Sequence, residues 1–85
     1  MAQVVIYITT YCPYCMAAKA LLRAKNIAFE EIDVTNDPGR RAEMENRSQR
    51  RTVPQIFIDG QSIGGYDDAR YLDSTGDLDR MLGRP

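Results

Sequence analysis

Two cysteines, Cys12 and Cys15, stand three residues apart where an apolar run ends and a run of helix-forming residues begins. At such a junction the Cys12 sulfur lies beside backbone N–H groups that have no intrahelical partner, and those donors favour a thiolate. Cys15 returns to the same helix face one turn later. The pair therefore predicts thiol-disulfide redox chemistry, with Cys12 as the exposed nucleophile and Cys15 as the shielded resolving thiol.

The chain contains no histidine, which limits the chemistry that its cysteines can perform. Imidazole is the usual base for a nucleophilic thiol, but a thiolate that is already formed needs no base. A zinc site needs about four ligands, and two thiols without histidine leave carboxylates to supply the rest. The structural alternative is that the two cysteines have no chemical role and serve only as small buried hydrophobic side chains. The position at a strand-to-helix junction favours the redox couple over both alternatives, and no metal is expected in the enzymatic form.

The composition predicts one globular domain that spans residues 1–85. Of the 85 residues, 44% are hydrophobic and 27% are charged, and a chain of this length builds a single modest core. Eleven basic and twelve acidic residues leave a formal net charge of −1. This balance does not favour an electrostatic grip on nucleic acid, so we expect no nucleic-acid partner.

The N-terminal segment has no basic n-region, and its apolar run is far shorter than the roughly 18 residues that suggest a membrane span. We therefore expect a cytoplasmic protein with no membrane contact. In that reducing compartment a C-x-x-C pair is more often catalytic or metal-binding than structural.

The first half of the chain alternates between strand and helix patterns. A β-branched and aromatic run predicts a strand over residues 4–8, and helix formers predict a helix over 13–25 with Asn26 as its C-cap. A second extended segment covers 29–34. Asp37 is then an N-cap and Pro38 a first helical residue, so a polar helix with a thin apolar stripe is predicted to run to about Arg47.

The second half predicts a hairpin followed by a helical region. Asp59-Gly60 separates strands over 55–58 and 61–63, and this dipeptide is a strong tight-hairpin signal. The acidic pair Asp67-Asp68 opens the last helical region, with a break near residues 75–76. The order βαβ, helix, ββ, helix predicts an α/β fold: a four-stranded mixed sheet, with one parallel pair and an antiparallel edge, flanked by helices on both faces.

Three segments in this order resemble the motifs of a dithiol glutaredoxin, and together they span nearly the whole chain. The resemblance implies a thioredoxin-like fold, glutathione as the reducing cosubstrate, and reduction of protein disulfides and glutathione mixed disulfides. The implied partners are glutathione and disulfide-containing or glutathionylated client proteins, and a monomer is expected. The segments are Thr-Tyr-Cys-Pro-Tyr-Cys at 10–15, Thr-Val-Pro-Gln-Ile-Phe-Ile at 52–58 and Ile-Gly-Gly-Tyr-Asp-Asp at 63–68.

The resemblance also implies a glutathione site, which includes a cis bond between Val53 and Pro54. The backbone of Val53 would pair with the glutathione peptide, Asp68 would meet its ammonium group, and Arg41 would face its glycine carboxylate. From the residues alone, a proline that starts an edge strand, a capping aspartate and a solvated arginine remain open. The implied binding residues are Tyr14, Arg41, Thr52, Val53, Pro54, Gly65, Tyr66, Asp67 and Asp68.

Two positions depart from the pattern of many glutaredoxins: Thr9 replaces a lysine, and Tyr66 replaces an extra cysteine. An alternative function is an iron-sulfur carrier in which Cys12 of two chains and two glutathiones hold the cluster. The bulky Pro13-Tyr14 pair weighs against that function. A metallochaperone with M-x-C-x-x-C is a further alternative, but residue 10 is threonine.

Overall fold

Strands and helices follow one another in the predicted order in a computed structural model that describes residues 2–83. The helices begin at Pro13, Pro38, Tyr66 and Asp77, and the strands are short. The elements are β1 Val4–Ile8, α1 Pro13–Ala24, β2 Glu30–Asp33, α2 Pro38–Ser48, β3 Gln55–Ile58, β4 Gln61–Gly64, α3 Tyr66–Thr75 and α4 Asp77–Met81.

The four strands form one mixed sheet in the order β2-β1-β3-β4, which confirms the predicted sheet. β1 pairs in parallel with β2 and antiparallel with β3, and β4 adds the antiparallel edge. Asp59 and Gly60 have φ values of 51° and 82°, so both turn residues are left-handed as a two-residue hairpin requires. The turn chemistry therefore sets the edge of the sheet.

Helices cover both faces of the sheet because the side chains of β1 alternate between two cores. The even-numbered residues of β1 pack in a larger core with α1, α3 and α4, whose buried contributors include Leu22, Ala69 and Leu78. Tyr7 lies on the other face with Phe57 of β3 and Met44 of α2. Met44 is the buried residue of α2, so the predicted thin apolar stripe is confirmed.

The helix ends differ slightly from the predicted boundaries. α1 ends at Ala24 with Lys25 as its C-cap, and Asn26 follows in the left-handed region at φ 58° instead of being the cap. α2 extends to Ser48 and ends at Gln49, which is also left-handed at φ 60°. Neither helix end has a glycine at the left-handed position. Asparagine tolerates this conformation better than glutamine does.

The last helical region begins at Tyr66, one residue before the predicted acidic pair, and its N-cap is Gly65. Gly76 is left-handed at φ 84° and separates α3 from α4, which confirms the predicted break. No helix within residues 2–83 is long and apolar enough to cross a membrane.

Candidate active site

Cys12 and Cys15 form a disulfide at the start of α1. Cys12 is the extended N-cap residue, and its sulfur accepts a hydrogen bond of 3.0 Å from the Cys15 N–H, one of the donors without an intrahelical partner. Pro13 occupies the first helical turn, where a missing N–H costs nothing. The sulfur therefore lies where the helix amides stabilise negative charge.

The exposures of the two cysteines correct one expectation. Cys12 is 8% exposed and Cys15 is 1% exposed, so Cys15 is shielded as predicted, but Cys12 is not an open nucleophile in this disulfide state. The bond to Cys15 covers one side of the Cys12 sulfur, and the Val53 carbonyl oxygen lies 3.9 Å from it. That approach is a contact and not a hydrogen bond, because a disulfide sulfur carries no hydrogen.

The segment Thr52-Val53-Pro54 lies between the end of α2 and the start of β3. The bond between Val53 and Pro54 is cis, which confirms the implied conformation. Pro54 is buried, Val53 is half-buried and packs against both cores, and Thr52 is exposed. The segment is therefore anchored by its side chains while part of its backbone faces the region of Cys12.

A cavity of about 290 Å³ opens beside this segment. It brings together eight of the nine implied glutathione-binding residues, from the first helix, the cis segment and the start of α3. The exception is Arg41, and Arg50 joins the wall instead. The residues that line the cavity are Tyr14, Arg50, Thr52, Val53, Pro54, Gly65, Tyr66, Asp67 and Asp68.

Arg50 and Asp68 form an ion pair on the cavity wall, with 2.7 Å between Arg50 Nη1 and Asp68 Oδ2. The same carboxylate oxygen accepts the Gly65 N–H at 2.9 Å, so Asp68 satisfies the N-terminus of α3 from inside the helix and is not its N-cap. The Arg50 hydrogen bond, followed by that of Gly65, lowers the pKa of Asp68. Asp68 is therefore an anion at neutral pH.

Arg41 makes other contacts. Its Nη2 donates to the Arg51 carbonyl oxygen at 2.8 Å, and its Nε lies 3.4 Å from Glu45 Oε2. In this state the guanidinium braces α2 against the segment that follows it. Residue patterns alone did not favour Arg50 over Arg41 for the cavity wall, because a left-handed Gln49 turns the chain off the helix face just before Arg50.

Aromatic rings form another part of the wall. The ring centroids of Tyr14 and Tyr66 are 6.3 Å apart at an interplanar angle of 37°. The guanidinium of Arg70 lies 5.9 Å from the centroid of the Tyr66 ring. Tyr14 itself is 61% exposed, so its ring presents a face that a bound peptide can cover.

A polar network that the sequence did not reveal holds the residues before Cys12. The Thr10 N–H donates to Thr35 Oγ1 at 2.8 Å, and the Thr10 hydroxyl donates to Asp33 Oδ2 at 3.0 Å. The Thr35 N–H donates to the other Asp33 oxygen at 2.8 Å. The hydrogen bonds from Thr35 are the main cause of the lowered pKa of Asp33. The approach to Cys12 is thus tied to the end of β2.

Within residues 2–83, no cluster of three or more histidine, cysteine, aspartate or glutamate side chains has an arrangement that could hold a metal ion.

Comparison with known proteins relates this chain to one family. The glutaredoxin family model matches residues 4–63. Glutaredoxin 3 of Escherichia coli is 52% identical over 82 residues, which cover 96% of this chain and 99% of that protein. A glutaredoxin of Pseudomonas aeruginosa is 45% identical over 82 residues and is covered to 98%.

Solved structures agree. A glutaredoxin from Brucella melitensis has 50% sequence identity to this chain. Its solution structure superposes with a TM-score of 0.85 over 96% of this chain and 89% of that one. A buckwheat glutaredoxin-glutathione complex is 29% identical, with a TM-score of 0.88 over 96% of this chain and 77% of that one.

Proposed function

The chain belongs to the glutaredoxin family and is a glutathione-dependent thiol-disulfide oxidoreductase, and from this premise we propose that Cys12 is its nucleophile and Cys15 its resolving thiol. One observation supports these roles above all: the Cys12 sulfur accepts an N–H donor at the start of α1. Cys15 lies deeper and contributes the amide that makes this hydrogen bond. Of the two sulfurs, that of Cys12 is therefore the better stabilised anion and the more accessible one.

For a glutathione mixed disulfide, the Cys12 thiolate attacks the glutathione sulfur. The bond between Cys12 and glutathione forms as the bond to the client sulfur breaks, and the client leaves as a thiolate that takes up a proton. A second glutathione, as its thiolate, then attacks the glutathione sulfur on Cys12. This step releases the Cys12 thiolate and glutathione disulfide, so the client thiol is restored and one free glutathione is oxidised, the other half of the product being the glutathione that the client carried.

For a protein disulfide, the Cys12 thiolate attacks one client sulfur and forms a mixed disulfide with it. The Cys15 thiolate then attacks the Cys12 sulfur, which releases the client as a dithiol and leaves the Cys12–Cys15 disulfide. The bonded pair is the state described above. Two glutathiones return it to the dithiol and leave as glutathione disulfide.

We propose the cavity beside Val53 as the glutathione site. Its volume of about 290 Å³ is at the low end for small-molecule sites, and it is open enough for a tripeptide to lie across it. The backbone N–H and C=O of Val53 would pair with the glutathione peptide as a short strand addition. Asp68 would bind the ammonium group, since Arg50 and Gly65 keep its carboxylate ionised. The buckwheat relative was solved with glutathione bound, which supports this proposal.

Arg41 and Arg50 are the cations proposed for the glutathione carboxylates. Arg50 already lines the cavity, whereas Arg41 must give up its contacts with Glu45 and the Arg51 carbonyl before it can face the glycine carboxylate. Tyr14 and Tyr66 would cover the apolar part of the tripeptide.

Serine replacements test the roles of the two sulfurs in one assay, the reduction of a small glutathione mixed disulfide with glutathione as the only electron donor. Cys12→Ser should abolish turnover, because no other sulfur takes the first bond. Cys15→Ser is the matched control and should retain this activity while it loses reduction of protein disulfides. An active Cys12→Ser variant would show that the nucleophile is assigned wrongly.

We further propose that residues 1–85 act as one monomeric domain in the cytoplasm on disulfide-containing or glutathionylated client proteins. The family membership and the near-complete coverage of Escherichia coli glutaredoxin 3 support a single functional unit. Light scattering during size-exclusion chromatography checks the monomer. A coloured dimer after anaerobic expression would contradict it and would favour the iron-sulfur function.

A further inference from the structure

Gln55, the first residue of β3, is a polar side chain that is completely buried. Its Nε2 donates hydrogen bonds to the carbonyl oxygen of Thr52 at 3.0 Å and to the Thr52 hydroxyl at 3.2 Å. Its Oε1 is buried and has no hydrogen-bond partner within the part of the chain that the structure describes. The side chain thus folds back across Val53 and Pro54.

The unpartnered oxygen makes Gln55 a poor choice for stability alone. A buried acceptor that leaves water and gains no partner destabilises the folded state, and this offsets the two hydrogen bonds of Nε2. An apolar side chain of the same length would remove the donors and the orphan acceptor together. A buried polar group with this imbalance calls for another role, and the geometry around Thr52 indicates one.

The peptide plane between Thr52 and Val53 connects Gln55 to the cavity. The Thr52 carbonyl and the Val53 N–H belong to that plane and point in opposite directions across a trans bond. Because Gln55 holds the carbonyl oxygen from the buried side, the Val53 N–H is directed away from Gln55. Val53 lines the cavity, and its carbonyl lies 3.9 Å from the Cys12 sulfur.

We propose that Gln55 is a positioning residue that orients the Val53 N–H for the peptide of bound glutathione. This inference rests on the proposed glutathione site. Although the Val53 carbonyl lies beside the Cys12 sulfur, the Val53 N–H would contact the glutathione backbone, in which no bond forms or breaks, so we expect that contact to be equally strong in the bound and transition states. Loss of its orientation therefore weakens binding and leaves the chemical step unchanged.

The test uses Gln55→Met in the full chain, with Gln61→Met on the exposed strand β4 as the matched control. For a small glutathione mixed disulfide, Gln55→Met should raise KM about three- to tenfold, as the loss of about one hydrogen bond does, with kcat within about twofold. Bound glutathione should also protect the Val53 amide from hydrogen exchange less well in Gln55→Met than in the wild-type protein. Both quantities should be unchanged in Gln61→Met.

Two readouts keep the inference separate from the proposed function. If the wild-type protein turns over the mixed disulfide but Gln55→Met keeps the wild-type KM, the positioning role is wrong and the function stands. If bound glutathione protects the Val53 amide from exchange equally in Gln55→Met and the wild-type protein, the positioning role is wrong whatever the activity. A kcat loss as large as the rise in KM would mean a general structural role and would also overturn it. Gln55→Leu replaces Gln55→Met if that variant does not fold.

Discussion

At the scale of single residues, backbone amides at helix starts contribute to both polar centres of the site. The Cys12 sulfur receives the Cys15 N–H, and Asp68 receives the Gly65 N–H, in each case at the start of a helix. Amides at a helix start are donors without intrahelical partners, so they stabilise an anion without the cost of burying a countercharge. The proposed Cys12 thiolate would therefore need no histidine to stabilise it.

Arg50 and Arg41 differ in what they contact, and alanine variants separate their roles. Arg50→Ala should raise KM for a glutathione mixed disulfide about three- to tenfold, since an exposed charged hydrogen bond is lost and salt screens part of it. Arg40→Ala, on the exposed face of α2, should leave KM unchanged. Steady-state kinetics at low salt measure both.

Arg41→Ala tests the second proposed arginine by the same measurement of KM. A rise in KM would support its proposed contact with the glycine carboxylate. A lower urea midpoint at unchanged KM would mean that Arg41 only braces α2 through Glu45 and the Arg51 carbonyl.

Gln49 stops α2 in a conformation that disfavours its side chain. We expect Gln49→Gly to raise the free energy of unfolding by about 0.5–1 kcal/mol, because glycine has no Cβ to clash at φ 60°. The variant also loses the exposed hydrogen bond from Gln49 Nε2 to the Asn46 carbonyl oxygen, which offsets little of this gain in stability. Gln61→Gly in β4 is the control and should lower stability, so a decrease in both variants by urea unfolding would contradict this account of the helix end.

At the scale of elements, Lys25 joins the end of α1 to the two C-terminal helices. Its Nζ lies 2.6 Å from Asp73 of α3 and 2.9 Å from Asp79 of α4, and it is largely covered. The hydrogen bond to Asp73, followed by that to Asp79, raises the pKa of Lys25. Its contribution to stability is therefore present below the usual lysine pKa and is lost as the pH rises through the raised value.

Lys25→Met should lower the free energy of unfolding by about 1 kcal/mol, because two partly covered ion pairs are lost and two carboxylates remain close together. Lys19→Met removes a single pair with Glu31 and should cost less. Urea unfolding at low and high salt measures the difference, which should shrink in high salt. If Lys25→Met and Lys19→Met lower the free energy of unfolding equally, the two ion pairs of Lys25 stabilise the fold no more than the single pair of Lys19 does.

At the scale of the whole molecule, carboxylates that are fixed in different places act together on acid stability. The pKa of Asp33 is lowered chiefly by Thr35, that of Glu43 by the Tyr7 hydroxyl and that of Asp68 by Arg50. Each group ionises more readily when folded than when unfolded. Their stabilisation is complete above the ordinary carboxyl pKa of about 4 and is lost as the pH falls through the lowered values.

We therefore expect the free energy of unfolding to be level between pH 6 and 7 and to fall as the pH drops from about 4 toward 2. Urea titrations at several pH values measure the profile. Asp33→Asn should flatten it, because the amide does not titrate. A profile that stays level down to pH 2 would contradict the pKa assignments.

The two cores show how much of this fold follows from local patterns. The β-branched and aromatic run over residues 4–8, the helix formers after Cys12 and the Asp59-Gly60 turn were sufficient for element order, pairing directions and the helices on both faces. The ends of α1 and α2 were predicted to within one residue, but not which residues adopt the left-handed conformation after them, because no glycine marks Asn26 or Gln49. Backbone conformation there depends on what the following residues pack against.

The candidate site also combines features that were predicted from the sequence with features that only the tertiary structure determines. Residue type and spacing were enough to identify the cysteine pair, since a helix start is a local feature. The cis bond and the role of the glycine-tyrosine-aspartate segment were implied by the resemblance to glutaredoxins, because the residues alone left an edge-strand proline and a capping aspartate open. Long-range packing was needed to cover Cys12, to bring Arg50 to Asp68 across 18 positions and to bury Gln55 with an orphan oxygen. Such contacts depend on where separate elements meet in space, and a one-dimensional pattern carries no distance between them.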